Sequence, residues 1–313
     1  MGEEKKIVKG RVIQSTGSWY KVNPGTDEPL ECRLPGRFRL GESELTNPLA
    51  VGDYVEVSVN EDGTGTIEEI EDRDNAIIRK ATHGRQGGQV LAANVDRAIV
   101  VQSIRKPKLK EGFIDRFLVT CEAYHVAPLI VINKMDLAKD RDRRFIDDLQ
   151  ELYKGLGYDF LTTSIHYEDS LETLKAYLKD RTSVFVGPSG VGKTSLLNAL
   201  DPELELPVKE VSSYSQKGRH TTTFARLLPL HFGGWLVDTP GIREFGLMDI
   251  EPTELSLYFP EMIEPRQHCK FYNCTHSHEP KCGVMAAYEA GEIDPSRYQS
   301  YLQMLESLEE NRR

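Results

Sequence analysis

No apolar run in the sequence reaches the eighteen or so residues that a helix needs to cross a bilayer. The opening residues, MGEEKKIVKG, carry no apolar h-region, so no secretory signal is expected. Lys6 stands where an N-myristoylation site wants Ser or Thr. Cysteine is scarce and odd in number, five in all, and Cys269, Cys274 and Cys282 fall within fourteen residues beside several histidines, which argues for metal binding rather than a disulfide framework. Positive charge is not in excess either: 39 Lys and Arg stand against 49 Asp and Glu, a net of −10. Internal repeats and low-complexity tracts are absent. What is there, 39% hydrophobic and 28% charged residues, is the composition of an ordinary soluble protein of two or three domains. A cytoplasmic, monomeric protein with no membrane partner is expected.

The charge is unevenly placed. Residues 1–72 hold 8 basic and 15 acidic residues, a net of −7, and residues 251–313 hold 6 and 11, a net of −5. The middle keeps 25 against 23, a net of +2. Charge alone therefore does not announce a nucleic-acid binder. Any RNA contact has to use local patches, of which RKATHGR (79–85) and RKPKLK (105–110) are candidates.

Three rhythms follow one another along the chain. Residues 1–72 read as short strands and turns: GRVIQSTGSWYKV around a Thr-Gly-Ser turn, LECRLPGRFRL as two strands broken at Pro35-Gly36, and two alternating runs joined at Asp62-Gly63. Five or so strands in that length predict a small OB-fold-like β-barrel. Residues 73–249 alternate continuous apolar strands (RAIVVQSI, PLIVIN, TSVFVG) with helical periods (111–126, about 144–156, about 170–179). That alternation predicts an α/β domain with a parallel sheet covered on both faces. FARLLPL and GGWLVDTPG add a hairpin closing at Phe232-Gly233-Gly234. Residues 250–313 hold a Cys/His cluster and a helix opened by Asp294-Pro295.

GPSGVGKTS (Gly187, Pro188, Ser189, Gly190, Val191, Gly192, Lys193, Thr194, Ser195) follows a strand and precedes a helical run, the context a phosphate-binding loop requires. The glycines turn backbone N–H groups onto the phosphates, Lys193 reaches the terminal phosphates, and the Thr194 hydroxyl is a ligand for Mg²⁺. Asp238, at the end of VDTPG, is expected near the same Mg²⁺, with the Gly241 N–H at the γ-phosphate. Asn133, Lys134, Met135 and Asp136 form NKMD at another strand end. The Asp136 carboxylate can accept from guanine N1–H and the exocyclic amine; adenine leaves it unpaired, and sites built this way discriminate by roughly 10⁴–10⁵-fold. TTSI (162–165) is the second base loop, with Ser164 or the following backbone supporting guanine O6. An unrelated P-loop kinase or ATPase does not need NKMD. The base reader precedes the phosphate loop, a rotation of the usual GTPase order. Ligands in such sheets bind at the carboxyl ends of the strands whatever order the chain visits them, so a permuted chain can rebuild one site.

At these motifs the sequence resembles the circularly permuted, small-ribosomal-subunit-dependent GTPases of the RsgA family. The resemblance rests on NKMD, GPSGVGKTS, GRHTTT, DTPGIREF and the Cys/His spacing, in that order, and spans essentially the whole chain. It implies a barrel, a permuted P-loop GTPase core and a small helical zinc domain. It also implies binding to the small ribosomal subunit, its rRNA and proteins, late in assembly, with subunit-stimulated GTP hydrolysis to GDP and release of the factor. The alternative function is a nucleotide-gated RNA-binding scaffold whose turnover is incidental.

Hydrolysis needs an oriented water. The place after Asp-x-x-Gly, often Gln, is Ile242, which cannot hydrogen-bond. His220, in GRHTTT (218–223), is the nearest polar candidate to orient or deprotonate the water, and the resemblance implies the same residue. Thr222 is the expected switch ligand to Mg²⁺, with Thr221 and Thr223 as alternatives and Arg219 a lesser candidate for charge stabilisation. In the last segment Cys269, Cys274 and Cys282 supply three thiolates, and His268, His276 and His278 compete to be the imidazole of a closed structural Zn²⁺ site. The family's spacing selects His276.

Overall fold

A computed structural model of the chain describes residues 6–26, 28–39, 47–80, 88–207, 225–238 and 250–310. Its residues fall into two compact units, one within 1–97, 175–185 and 200–243 and the other within 98–174, 186–199 and 244–313.

The first unit begins with five strands: β1 (Ile7–Ser15), β2 (Tyr20–Asn23), β3 (Leu30–Arg33), β4 (Tyr54–Val59) and β5 (Gly65–Ile70). β1 pairs antiparallel with both β2 and β4, β3 pairs parallel with β5, and β5 returns antiparallel to β4, so the sheet closes on itself. The alternation in the sequence explains the closure: Val12, Val22, Val55, Val57 and Ile67 all point inward and are fully buried. The interior is tight. A Cβ at Gly65 would sit 2.5 Å from Val57 Cγ1 and 2.6 Å from Cys32 Sγ. Cys32 is core, with its thiol pushed up to about 12 by burial.

One expected strand is corrected. After Arg33 the chain forms a 3₁₀ turn over Gly36–Arg39, not a second strand. Pro35 has no N–H to offer a ladder, and its carbonyl accepts from Phe38 N at 3.2 Å, which closes the turn. A second antiparallel pair, β6 (Ala76–Lys80) with β7 (Gly88–Ala93), was not anticipated. The Asn47 side chain fixes its outer strand, accepting from Val90 N at 2.8 Å and donating to Val90 O at 2.9 Å.

The chain then alternates: β8 (Arg97–Ser103), α1 (Glu111–Tyr124), β9 (Ala127–Asn133), α2 (Asp140–Gly155), β10 (Asp159–Thr162), α3 (Glu168–Leu178), β11 (Thr182–Val186) and α4 (Lys193–Leu200). In the second unit β10 pairs parallel with β9, with β8 beyond it. The strand interiors are wholly buried, as their unbroken apolar runs require. In the first unit β11 pairs parallel with β13 (Trp235–Asp238), which pairs antiparallel with β12 (Arg226–Pro229). The turn closes as expected, Leu230 N donating to Gly234 O at 3.0 Å, with Gly233 and Gly234 both at positive φ.

The C-terminal part of the second unit is helical: α5 (Pro260–Ile263), α6 (Gly283–Glu289) and α7 (Pro295–Glu310). Asp294 caps α7, its Oδ1 accepting from Ser296 N at 2.8 Å. Phe259, Val284, Tyr301 and Met304 form its core together with Val119 of α1. A buried ionic cluster ties the same elements. Arg297 Nη1 donates to Asp115 at 2.6 Å and Nε to Glu261 at 2.7 Å, while the Tyr153 hydroxyl donates to Asp115 at 2.8 Å. Among the described residues no helix is long and apolar enough to cross a membrane.

Candidate functional site

β11 delivers the chain into the phosphate-loop sequence and α4 starts at Lys193, the strand–loop–helix order the motif demands. Gly187 (φ 148°) is obligatory, since a Cβ there would run into the Val101 carbonyl. Gly190 and Gly192 also take positive φ, 83° and 95°. Lys193 Nζ donates to Gly187 O at 2.6 Å and Pro188 O at 2.8 Å, so its ammonium folds back over the loop that precedes it. Thr194 and Ser195 lie half-buried in the first turn of α4, where backbone N–H groups are free to meet anions.

NKMD follows β9 and touches that loop directly. Asn133 Nδ2 donates to Val191 O at 3.1 Å, and Asn133 Oδ1 accepts from Thr163 Oγ1 at 3.2 Å. A Cβ on Gly192 would lie 2.7 Å from Asn133 Nδ2, so the close approach needs a glycine. Lys134, at φ 63°, reaches with Nζ to Lys106 O (2.7 Å) and Gly190 O (2.5 Å). Burial pushes its ammonium pKa down. Met135 is buried, while Asp136 is exposed and accepts from Ser164 Oγ at 2.6 Å. Ser164 is itself buried and its Oγ accepts from His166 N at 3.2 Å, so TTSI positions the carboxylate of NKMD. A carboxylate has about four lone-pair sites, so Asp136 retains capacity for the two donors of a guanine edge. Thr163 was not singled out in the sequence; it is the residue that fixes Asn133.

Asp238 ends β13 and accepts from Arg226 Nε at 2.8 Å. His220, Thr222, Gly241, Arg219, Thr221, Thr223 and Ile242 lie outside the described residues.

Cys269, Cys274, His276 and Cys282 bring one ligand atom each to within 4.8 Å of the others. Cys269 Sγ and Cys282 Sγ are 3.8 Å apart, and His276 Nδ1 is 3.5 and 3.3 Å from them. Zinc bonds of about 2.3 Å to sulfur and about 2.0 Å to nitrogen set tetrahedral edges of about 3.8 and 3.5 Å, so this set fits zinc. His276 Nε2 bonds Ser256 Oγ at 3.1 Å, leaving Nδ1 toward the thiols. Burial, then Arg266, pushes the imidazole down to about 4, the neutral form a metal requires. Burial pushes the Cys274 thiol up to about 12, so ionising it calls for a cation among the sulfurs. His268 pairs instead with Glu264 at 2.7 Å, and His278 Nδ1 with Ser277 Oγ at 2.8 Å. Glu279 organises the loop. Burial would raise its pKa, but bonds from Thr275 Oγ1 (2.7 Å) and Thr275 N (2.6 Å), with the His278 N–H, hold it down at about 2.

Residues 70–248 match the RsgA GTPase family, and residues 9–67 match the RsgA N-terminal domain. The first match alone covers more than half of the 313 residues. The chain belongs to the RsgA GTPase family. It is 45% identical over 305 residues to the small ribosomal subunit biogenesis GTPase RsgA of Phocaeicola vulgatus, covering 97% of this chain and 98% of the relative. The RsgA protein of Flavobacterium johnsoniae is 42% identical over 310 residues, covering 97% and 94%. The crystal structure of YjeQ from Thermotoga maritima superposes with a TM-score of 0.79 at 38% identity, over 97% of this chain and 99% of that one. YloQ, described as a circularly permuted GTPase, gives 0.76 at 34%, over 99% and 98%. Like other RsgA GTPases, the protein hydrolyses GTP, and the early place of its base reader is a circular permutation. The barrel, the permuted core and the Cys₃His group are all present in one chain.

Proposed function

We propose that this GTPase acts on the small ribosomal subunit late in its maturation, that the subunit stimulates hydrolysis, and that hydrolysis releases the protein. The observation that carries the reading is end-to-end similarity to relatives named for small-subunit biogenesis, with all three structural parts retained. The parts are assigned to a barrel (1–72), a GTPase domain (73–249) and a zinc domain (250–313), in a monomer of the cytoplasm.

In the nucleotide site Asp136 reads the guanine edge, with Asn133, Lys134, Met135 and Ser164 holding its loop. The backbone of Gly187 to Ser195 cradles the phosphates, and Lys193 and the Gly241 N–H meet the terminal phosphoryl group. Thr194, Thr222 and Asp238 offer hard oxygen donors, the ligand class magnesium takes. Magnesium, when bound, neutralises charge on the β- and γ-phosphate oxygens. His220 orients or deprotonates the attacking water, since Ile242 has no group to do so. Cys269, Cys274, His276 and Cys282 hold a structural zinc ion, which when bound cross-links the loop.

Sedimentation with purified small ribosomal subunits tests the coupling. The account expects co-sedimentation with a non-hydrolysable GTP analogue and its loss with GDP. Equal retention in both nucleotide states contradicts release by hydrolysis.

A further inference from the structure

Arg226 and Asp238 stand directly opposite each other on β12 and β13, so their side chains share one face of the sheet. Arg226 Nε donates to Asp238 Oδ2 at 2.8 Å. The two side chains are 42% and 33% exposed, and an ion pair this open to solvent contributes little to stability. Stability is therefore a weak account of why the pair is there. What the bond does to the carboxylate is a stronger one.

The bond takes one oxygen and leaves the other. Oδ2 accepts from the guanidinium edge, while among the described residues no donor meets Oδ1. Carboxylates that serve metals are themselves hydrogen-bonded to a partner that orients them. Asp238 also stands where a metal ligand is wanted. It ends β13, the parallel neighbour of β11, and β11 runs into the phosphate-loop sequence. Arg226 in turn has a fixed root. β12 lies between β13 and the first strand of the barrel: Gln14 of β1 pairs with Arg226, and Ser15 N donates to Ala225 O at 3.2 Å. A side chain rooted in a strand with a neighbour on each side can aim a ligand.

We infer that Arg226 is a positioning residue for the GTPase reaction: it holds Asp238 by Oδ2 and so leaves Oδ1 aimed for magnesium. Arg226 acts only through that carboxylate and touches neither nucleotide nor metal. Its own place is set by β1, so the strand that orients the metal ligand is laddered to the barrel. The inference rests on the reading of Asp238 as a magnesium ligand. It also has a definite sign. A cation that merely competed with magnesium for the carboxylate would strengthen metal binding when removed, whereas a positioning residue weakens it.

The test titrates magnesium into the full-length, zinc-loaded protein carrying a fluorescent GDP analogue, and measures affinity for the same analogue without added magnesium. Arg226→Ala should raise the magnesium midpoint by about tenfold or more and leave the magnesium-free affinity at the wild-type value. Arg226→Lys, which keeps a cationic donor but not the planar fork, should recover part of the loss. Asp238→Ala should raise the midpoint at least as far, and adding Arg226→Ala to it should change nothing more. An unchanged or lowered midpoint in Arg226→Ala overturns the inference. Equal losses with and without magnesium also overturn it, since Arg226 then supports the strand and not the carboxylate. Additive losses in the double variant do the same. An unchanged midpoint in Asp238→Ala contradicts the ligand reading itself, and the inference falls with it.

Discussion

The side-chain amide of Asn133 donates to the backbone carbonyl of Val191 across 3.1 Å, and Asn133 is only 2% exposed. Fifty-eight residues separate the two along the chain. One belongs to NKMD and the other to GPSGVGKTS, so this bond, with that of Lys134 Nζ to Gly190 O, joins two segments that the permutation has placed in reversed order. Asn133→Ala leaves a buried carbonyl without its donor, at a cost of about 1–3 kcal/mol. We expect GDP and GTP affinities to fall together, by about tenfold, because the bond supports the loop and not the γ-phosphate. Titration with fluorescent GDP and GTP analogues checks this; a selective loss of GTP alone contradicts it.

Asp136 tests the base reading. Asp136→Asn replaces an acceptor by a donor, so it should lose guanine by at least about a hundredfold and gain xanthine, whose second exocyclic group is an acceptor. Competition of GTP and XTP for the variant measures the exchange.

Arg297 and Asp115 are both fully buried and 2.6 Å apart. Removing the cation strands the Asp115 and Glu261 charges among apolar side chains, a change that costs about 3–5 kcal/mol. Arg297→Ala should therefore lower the urea midpoint sharply. Arg297→Ala combined with Asp115→Asn and Glu261→Gln should recover part of the loss.

Ser256 holds His276 through Nε2 at 3.1 Å. Ser256→Ala should weaken zinc binding by about 10–100-fold while leaving all four ligands in place. Competition with a chromophoric chelator reads the shift, and an unchanged affinity removes Ser256 from the site.

These residues differ in how far the sequence revealed them. The strand–loop–helix around GPSGVGKTS and the strand end at NKMD were legible because such motifs fix residue types at short, local spacings. The hairpin at Gly233-Gly234 and the cap at Asp294 were legible for the same reason. The choice among His268, His276 and His278 rested on the resemblance, whose spacing selects His276, and the fold aims that residue at the thiols. Ser256 and Thr163 act across twenty and thirty residues, a distance no local pattern reports. The run after Pro35 has the composition of a strand, and it fails because a missing N–H outweighs side-chain propensity. Arg297 meets Asp115 of α1 and Glu261 of α5 across 182 and 36 residues, again beyond any local pattern.

The account's central claim is a GTPase gated by the small ribosomal subunit, and the most direct measurement is steady-state phosphate release with and without purified small subunits, with ATP as control. The account predicts a many-fold rise for GTP, none for ATP, and loss of the rise in His220→Ala with nucleotide binding intact. Equal GTP turnover with and without subunits, at full nucleotide occupancy, contradicts it and favours a nucleotide-gated scaffold.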